Sequence, residues 1–443
     1  MGEAGTNRGE VRLRVPDRSQ VTVRLECDER LIPKGHRARV VWEVVCRLDA
    51  QGALAPFKEP IRARAGGVGR DATDPRLLVA LWLYACIRGV GSARELARLC
   101  AESAPYRWLC GGVTVNHRML SAFRVGFAGA LDGLFTRVVA SLVGQGLVNV
   151  RRVCQDGTRV RAGAGDKSFR RGRTLDELLG EAKAHVESLR ALLDDPEKSA
   201  ALSSRKRAAR RRAADERVVR LEAAVAQLPE LRRRQEARAK RLGNGKQGRK
   251  QRAKEPRSST TDADARVMKM PGGGFRPAYN VQLACDPHSR AVVGVAVTNE
   301  GSDAGQAPPM REQVRRRTGH KVEEHLVDGG YLVLDEVEAA PREGVTLYVP
   351  PKPPRNEEKR GSEYEPRPTD SEAVKAWRAR MGGAEGKSAR GQRAATSETV
   401  NADLKTHRGL ARLTVRGLGK VTCAALWSAL AYNVMHFAAA LAA

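Results

Sequence analysis

The rhythm of apolar positions changes near residue 150. Upstream it is helical: "GHRARVVWEVVCRLD" and "DPRLLVALWLYACIRGV" repeat apolar residues every three or four positions. Asp74 and Pro75 give the second stretch a cap and a first-turn proline, and its apolar residues wrap most of the helix, which predicts burial. "GSARELARLCAES" repeats the start signal, with Ser92 as cap and Glu95 three residues on. Further helices follow through "APYRWLCGGVTVNHRMLSAFRVGFAGALDGLFTRVVASLVGQG". Residues 71–148 therefore read as a small all-helical domain behind a mixed segment, 1–70, that opens with a strand-like "VRLRV". Short helices with interspersed arginines suit a helix-turn-helix DNA binder or a plain packed bundle, and the pattern leaves both open.

Downstream the pattern alternates. The β-branched run in "LVNVRRVCQDGTRVRA" predicts a strand that ends at Asp156, with Gly157 turning or bulging the chain. A long helical tract follows, in which Val218, Leu221, Val225 and Leu228 recur at helical intervals among charges. "GNGKQGRKQRAKEPRSST" is a basic, glycine-rich linker. Strands resume at "FRPAYNVQLACD" and "AVVGVAVTNE", a hairpin turned at Asp286–Pro287. Then come a helix in "GQAPPMREQVRRRTGH", a strand in "EEHLV", a helix in "YLVLDEVEAAPREG" and a strand in "VTLYVPPKPP". Helix with glycine breaks occupies 371–410, and an apolar helix closes the chain. The fold class is α/β: one mixed sheet across 149–443, interrupted after its first strand by a basic helical insertion at 170–258.

Composition sharpens this picture. The 443 residues exceed one small core, and 79 Lys and Arg against 51 Asp and Glu leave a formal charge of +28. Such an excess points to a polyanionic partner, nucleic acid ahead of an anionic membrane surface. The clusters "RKRAARRR" and "GKQGRKQRAK" suit phosphate contacts without base reading, against the plain alternative of a solvated helix face. The eight cysteines form no close CxxC pair, so neither a zinc site nor a disulfide framework is indicated. The apolar C-terminal stretch contains Asn433 and His436 and reads as a core helix, not a membrane span. "PGGGF" and "LGNGKQG" lack a phosphate-loop pattern, so no nucleotide cofactor is expected.

Three acids fall where metal-dependent phosphodiester chemistry needs them, at strand ends and on a neighbouring helix: Asp156, Asp328 in "HLVDGG", and Glu398 in "AATSETVNADLK". Two-metal sites bring carboxylates around hard cations about 3.5–4 Å apart. Each also has a plain alternative, because Asp–Gly is a common turn pair and Glu398 could be a solvated helix residue. Asp286, Asp303 and Asp403 compete for the same role, and Asp286 reads as the hairpin-turn residue. Asn280 reads as structural, and neither His288 nor His325 as a zinc ligand.

The ordered set "QDGTRVRA", "TTDADARVMKMPGGGFRPAYNVQLACD", "VTNEGSDAGQAPPM", "HLVDGGY" and "SETVNADLKTHRGLARLTVRGLGKV" resembles bacterial insertion-sequence transposases of the DDE type. Residues 71–124 resemble the N-terminal domain commonly fused to them. The resemblance implies an RNase-H-like domain whose Asp-Asp-Glu triad falls on Asp156, Asp328 and Glu398, holding two Mg²⁺ or Mn²⁺ ions. It assigns Lys405 as the basic residue after the Glu, and Arg393 as the family's Arg. Arg390 stands where a Tyr is usual, and the Arg-to-Glu interval is one residue longer. Arg408 and Arg416 are further candidates for phosphate contact.

The implied activity is binding of terminal inverted repeats in double-stranded DNA, strand cleavage and strand transfer. The implied setting is the bacterial nucleoid, in the cytoplasm. Two ends must be synapsed, so a homodimer is expected in the DNA complex. Two other readings stay open: a decayed transposase that only binds DNA, and a two-metal nuclease without strand transfer.

Overall fold

The computed structural model describes residues 27–63, 71–195, 203–354, 356 and 360–442. The strand-like "VRLRV" lies outside the described residues. The chain begins with helices α1 (Arg37–Ala50), α2 (Ala55–Lys58), α3 (Pro75–Ile87), α4 (Ala93–Glu102), α5 (Ala104–Cys110), α6 (His117–Gly126) and α7 (Ala128–Gly144). Their starts follow the sequence signals: Asp74 accepts from Arg76 N at 2.8 Å, and Ser92 Oγ accepts from Glu95 N at 3.4 Å. α1 buries Val41, Val44, Val45 and Leu48 and packs on α3, so the helical unit begins well before residue 71.

The sheet strands are β1 (Arg152–Arg161), β4 (Arg266–Lys269), β5 (Phe275–Cys285), β6 (Val292–Thr298), β7 (Glu324–Leu326) and β8 (Thr346–Tyr348). β1 is central, antiparallel to β5 and parallel to β7, and β7 is parallel to β8. On its far side β5 pairs β4 through Phe275–Ala278 and β6 through Asn280–Cys285. Between β1 and β4, a two-stranded ribbon, β2 (Phe169–Arg171) with β3 (Arg257–Ser259), carries the insertion helices α8 (Gly172–Asp194), α9 (Ser204–Ala226), α10 (Leu228–Arg241) and α11 (Lys246–Arg252). Leu175, Ala182, Leu221 and Ala224 give the insertion a small core of its own.

α12 (Ala307–Thr318) connects β6 to β7 and packs on β6 and α7. α13 (Leu334–Ala339) and α14 (Glu372–Gly382) lead to α15 (Ala384–Thr406), which lies against β1, β5, β7 and β8. The chain closes with α16 (Leu418–His436) and α17 (Ala438–Ala442). A five-strand path with the first strand central, and a helix after the last strand lying across it, is an RNase-H-like arrangement with a helical insertion and an N-terminal helical domain.

α16 ties the two halves together. It is buried almost throughout and packs on β6, α3 and α7, so sheet and helical unit share one apolar core. Asn433 exchanges two hydrogen bonds with the Val292 backbone, at 2.9 and 2.8 Å, and Trp427 Nε1 donates to Arg124 O at 3.0 Å. Arg124 is itself buried, stacked over Trp82 and donating to Gly91 O at 2.6 Å. Among the described residues no single helix is long and apolar enough to cross a membrane, although α6 and α7 pass that test as a pair bent by 67°.

One buried group makes the sheet sensitive to acid. His325 on β7 sits between Val153 and Leu347, fully buried, and neither ring nitrogen has a hydrogen-bond partner. Burial, with the Arg311 charge nearby, pushes its pKa down from 6.5 to about 3. The folded state holds it neutral while the unfolded chain protonates near pH 6.5, so its stabilising effect is full above 6.5 and falls away toward pH 3. His325→Leu should reduce acid lability by on the order of 2–3 kcal/mol at pH 4.5 relative to pH 7. Urea unfolding at the two pH values checks this; equal acid sensitivity in both proteins would refute it.

Candidate catalytic site

The site is built around the pairing of β1. Its last residue in register with β7 is Cys154 opposite Leu326, so Asp156 and Asp328, each two residues further, emerge side by side. Asp156 does not end its strand, contrary to the sequence expectation: β1 runs on in unbroken register to Arg161, and Gly157 pairs with Gln282. Gly157 serves packing instead of turning. A Cβ there would overlap Asp303 Oδ1 and approach Gln282 Nε2 to 2.5 Å and Asn280 Oδ1 to 2.9 Å. Strand alternation sends Asp156 to the opposite face from Gly157 and Arg159.

On that face Asp156 meets α15. Its Oδ2 accepts from Asn401 Nδ2 at 2.9 Å, its Oδ1 accepts from Gly157 N at 3.0 Å, and Arg393 Nη1 lies 3.8 Å away. Burial, opposed by Arg393 and reinforced by the charges of Asp328 and Asp303, pushes the Asp156 pKa up to about 6. Lys405, half-buried, is held below the usual lysine value by burial, which the Asp156 charge partly offsets. Arg393 Nε is buried with no hydrogen-bond partner.

Asp328 starts a short turn at Gly329–Tyr331 by accepting from Gly330 N at 2.8 Å, so its plain reading as a turn starter is also correct. The turn buries Tyr331, whose hydroxyl donates to Gln282 Oε1. Gln282 also accepts from Gln155 Nε2 at 2.8 Å and donates to Asp303 Oδ1 at 2.7 Å. Asp303 further accepts from Asn280 Nδ2 at 2.6 Å and Arg159 Nη2 at 3.3 Å. A buried polar network therefore runs from the Asp328 turn, behind β1, to the loop ahead of α12. Asn280 is a support for Asp303, as its structural reading implied.

Glu398 stands apart. It is exposed on α15 with no hydrogen bond or ion pair, three residues before Asn401 and seven before Lys405. At 100° per residue those spacings set it about 60° from Asn401 and about 20° from Lys405, on the flank of the helix face turned to Asp156. Among the described residues no three His, Cys, Asp or Glu side chains are close enough to hold a metal ion. The structure thus brings Asp156 and Asp328 together with Arg393, Asn401 and Lys405, keeps Asp303 behind β1, and leaves Glu398 at the rim.

The remaining candidates have other partners. Arg408 pairs with Asp403 at 2.8 Å, and Arg416 Nε donates to Gly163 O at 3.2 Å. Arg390 donates to Tyr364 at 2.7 Å, so a tyrosine from another segment adjoins the position where the motif usually carries one. Asp286 is the hairpin residue: it accepts from Asn149 N, His288 N and Ser289 Oγ at 3.1, 3.1 and 2.6 Å. Asn401 was passed over in the sequence, where its only signal is its place between Glu398 and Lys405 on one helix.

Comparison with known families gives two matches. Residues 255–434 match the Transposase DDE domain, a span holding Asp328 and Glu398 but not Asp156. Residues 26–125 match the Transposase domain (DUF772), which covers α1 through nearly all of α6. No curated protein and no solved structure matches the chain. A DDE-type transposase domain behind this N-terminal transposase-associated domain, on an RNase-H-like sheet, is the architecture of bacterial insertion-sequence transposases.

Proposed function

We propose that this chain binds the terminal inverted repeats of an insertion sequence and cleaves and transfers DNA strands in a metal-dependent reaction. The observation that carries the proposal is the adjacency of Asp156 and Asp328 on parallel strands, faced by the helix of Glu398, Asn401 and Lys405. The donor chemistry suits a hard divalent cation: burial first, and the neighbouring Asp328 and Asp303 charges after it, raise the Asp156 pKa. Asp156 and Asp328 would hold two Mg²⁺ or Mn²⁺ ions, with Glu398 completing the set from the rim. When bound, the ions supply activation of a water or 3′-hydroxyl and stabilisation of the leaving oxygen.

The chain's own residues do the positioning. Asn401 fixes the orientation of the Asp156 carboxylate. Arg393 offsets the Asp156 charge in the free protein and, with an unpartnered buried Nε, is suited to receive a phosphate oxygen once a cation takes over that task. Lys405 is the second cation on this face. Arg408 is committed to Asp403 and is the weaker phosphate contact. Double-stranded DNA as partner, a homodimer at synapsis and a nucleoid setting belong to the same reading.

Asp156→Asn and Asp328→Asn should each cut Mg²⁺-dependent cleavage of element-end duplex by more than about 100-fold, beyond the usual 10–100-fold for residues that only support a metal ligand. Glu398→Gln should do the same, and in all three duplex binding should persist. Unchanged cleavage would remove the carboxylate assignment, while a wild type that binds but never cleaves would be a decayed transposase. Joining of a supplied 3′-hydroxyl end to target DNA separates the transposase from a nuclease.

Asn401→Ala should lower cleavage about 10–100-fold with the fold intact, as losing the hydrogen bond that orients a metal-holding carboxylate does. Rates equal to wild type would show that Asp156 needs no such support.

Burial of Asp156 beside its acidic neighbours also has a stability consequence. A carboxyl whose folded pKa is raised favours the fold when protonated and disfavours it as pH climbs through 6. In buffer free of divalent cations, Asp156→Asn should therefore be more stable than wild type at pH 8, by up to about 3 kcal/mol, with the difference closing below pH 4. Urea unfolding of both proteins at those pH values measures it, and a variant less stable at pH 8 contradicts the raised pKa.

A further inference from the structure

The root of the insertion holds a basic cavity that the catalytic reading does not use. Its volume is about 380 Å³, and its polar lining is Arg170, Arg217, Arg220, Arg416, Thr260 and Thr261. These residues come from four separate parts of the chain. Arg170 lies on β2 of the ribbon, Arg217 and Arg220 on one face of α9 (three residues apart), the threonines just past β3, and Arg416 just ahead of α16. Leu178 and Leu221 form its apolar floor.

The charges are uncompensated. Arg170 and Arg217 have no ion-pair partner among the described residues, and Arg220 has only Glu216 at 3.8 Å on the exposed surface. Arg416 is steadied through Nε by Gly163 O at 3.2 Å, which leaves its terminal nitrogens without a bond. Thr260 Oγ1 donates to Ser168 O at 3.3 Å, while the Thr261 hydroxyl has no partner among the described residues. No acid lines this cavity. Other arginine-lined cavities differ in that respect: Glu236 and Glu255 sit among Arg232, Arg252 and Lys254, and Asp403 sits beside Arg408. A solvated basic helix face explains Arg217 and Arg220 alone. It does not explain two more arginines brought to the same cavity from a ribbon and from the far end of the chain.

The geometry points to a seat for a DNA backbone phosphate, formed jointly by the insertion and the catalytic domain. This rests on the reading of the chain as a DNA-cutting enzyme. Guanidinium groups suit phosphate oxygens, and a threonine hydroxyl adds a neutral donor. The seat is tied to the candidate site by one strand. Past Asp156, β1 runs to Arg161, which bridges Arg412 and accepts from Leu413 N at 2.9 Å, and Gly163 holds Arg416. Asp156 and Gly163 are seven residues apart, at most about 23 Å in extended chain. With about 3.4 Å per nucleotide, the seated phosphate lies within roughly seven nucleotides of the reacting one. Its role is to set the register of the duplex, not to read bases.

The test uses the full chain and a 30-base-pair duplex of arbitrary sequence, with binding measured by fluorescence anisotropy across a salt series. Arg217→Gln combined with Arg416→Gln should lower the slope of log K against log salt by about one, since the seat holds one phosphate and each lost phosphate contact removes about 0.9. The comparison protein, Arg342→Gln with Arg367→Gln, removes equal charge from exposed positions elsewhere and should leave the slope within about half a unit of wild type. Thermal melts matching wild type establish that neither pair unfolds the protein, and Arg217→Lys with Arg416→Lys, which keeps the charges, should restore most of the slope. Equal slope losses in the two glutamine variants would overturn the seat and leave only diffuse charge. A wild type without salt-dependent DNA binding would instead overturn the parent reading.

Discussion

The arrangement depends first on the two-sided pairing of β1. Antiparallel bonds to β5 and parallel bonds to β7 hold the strand along both edges, and the parallel edge puts Asp156 beside Asp328. Two carboxylates brought that close and partly removed from water are costly to ionise together, and the Asp156 pKa is raised by burial first and by the Asp328 charge second. The sheet holds them there because slipping β1 by one residue would turn its whole apolar set to the wrong face. What the fold imposes on these acids, a divalent cation would relieve, so the same crowding that weakens the free protein would favour binding a cation.

The space behind β1 is just as constrained. Asp303 reaches the backbone of Gly157 only because that residue has no side chain, and Asn280, Gln282 and Arg159 surround its carboxylate with donors. This explains where local sequence reasoning failed. Asp–Gly is a turn signal by propensity, yet here the pair sits inside a strand, because the glycine answers a contact with a residue 146 positions downstream. Tertiary contact overrode local preference. The helix starts at Asp74 and Ser92, the β5–β6 hairpin and the insertion were legible because caps, turns and apolar periods are written within a few residues of one another. Asn401 and the core shared through α16 were not, since both depend on which helix faces which strand.

Charge divides in a similar way. Many arginines are taken up inside the fold: Arg378 with Asp370, Arg317 with Asp132, Arg311 with Glu343, Arg408 with Asp403. The net charge of +28 already subtracts such pairs, so it counts the cations left over for a polyanion. The insertion helices carry arginines along most of their exposed length, which concentrates the positive field on one projection from the sheet. A basic arm beside an acidic pocket lets DNA be attracted to the protein without the repulsion that carboxylates alone would exert.

α15 links these parts. It begins at Gly383, passes Arg393, Glu398, Asn401 and Lys405, and leads into the segment whose Leu410 N bonds back to Leu404 O and whose Leu413 N bonds to Arg161 O. Its register along β1 is thereby held near the C-terminal end of both elements, and Asn401, in the last third of the helix, ties it to Asp156 midway along β1. A helix pinned at two points does not slide a turn, about 5.4 Å, to bring another residue inward. In the proposed reading, closing of the acidic group around a cation would therefore fall to the Glu398 side chain, which is exposed and has no side-chain bond among the described residues.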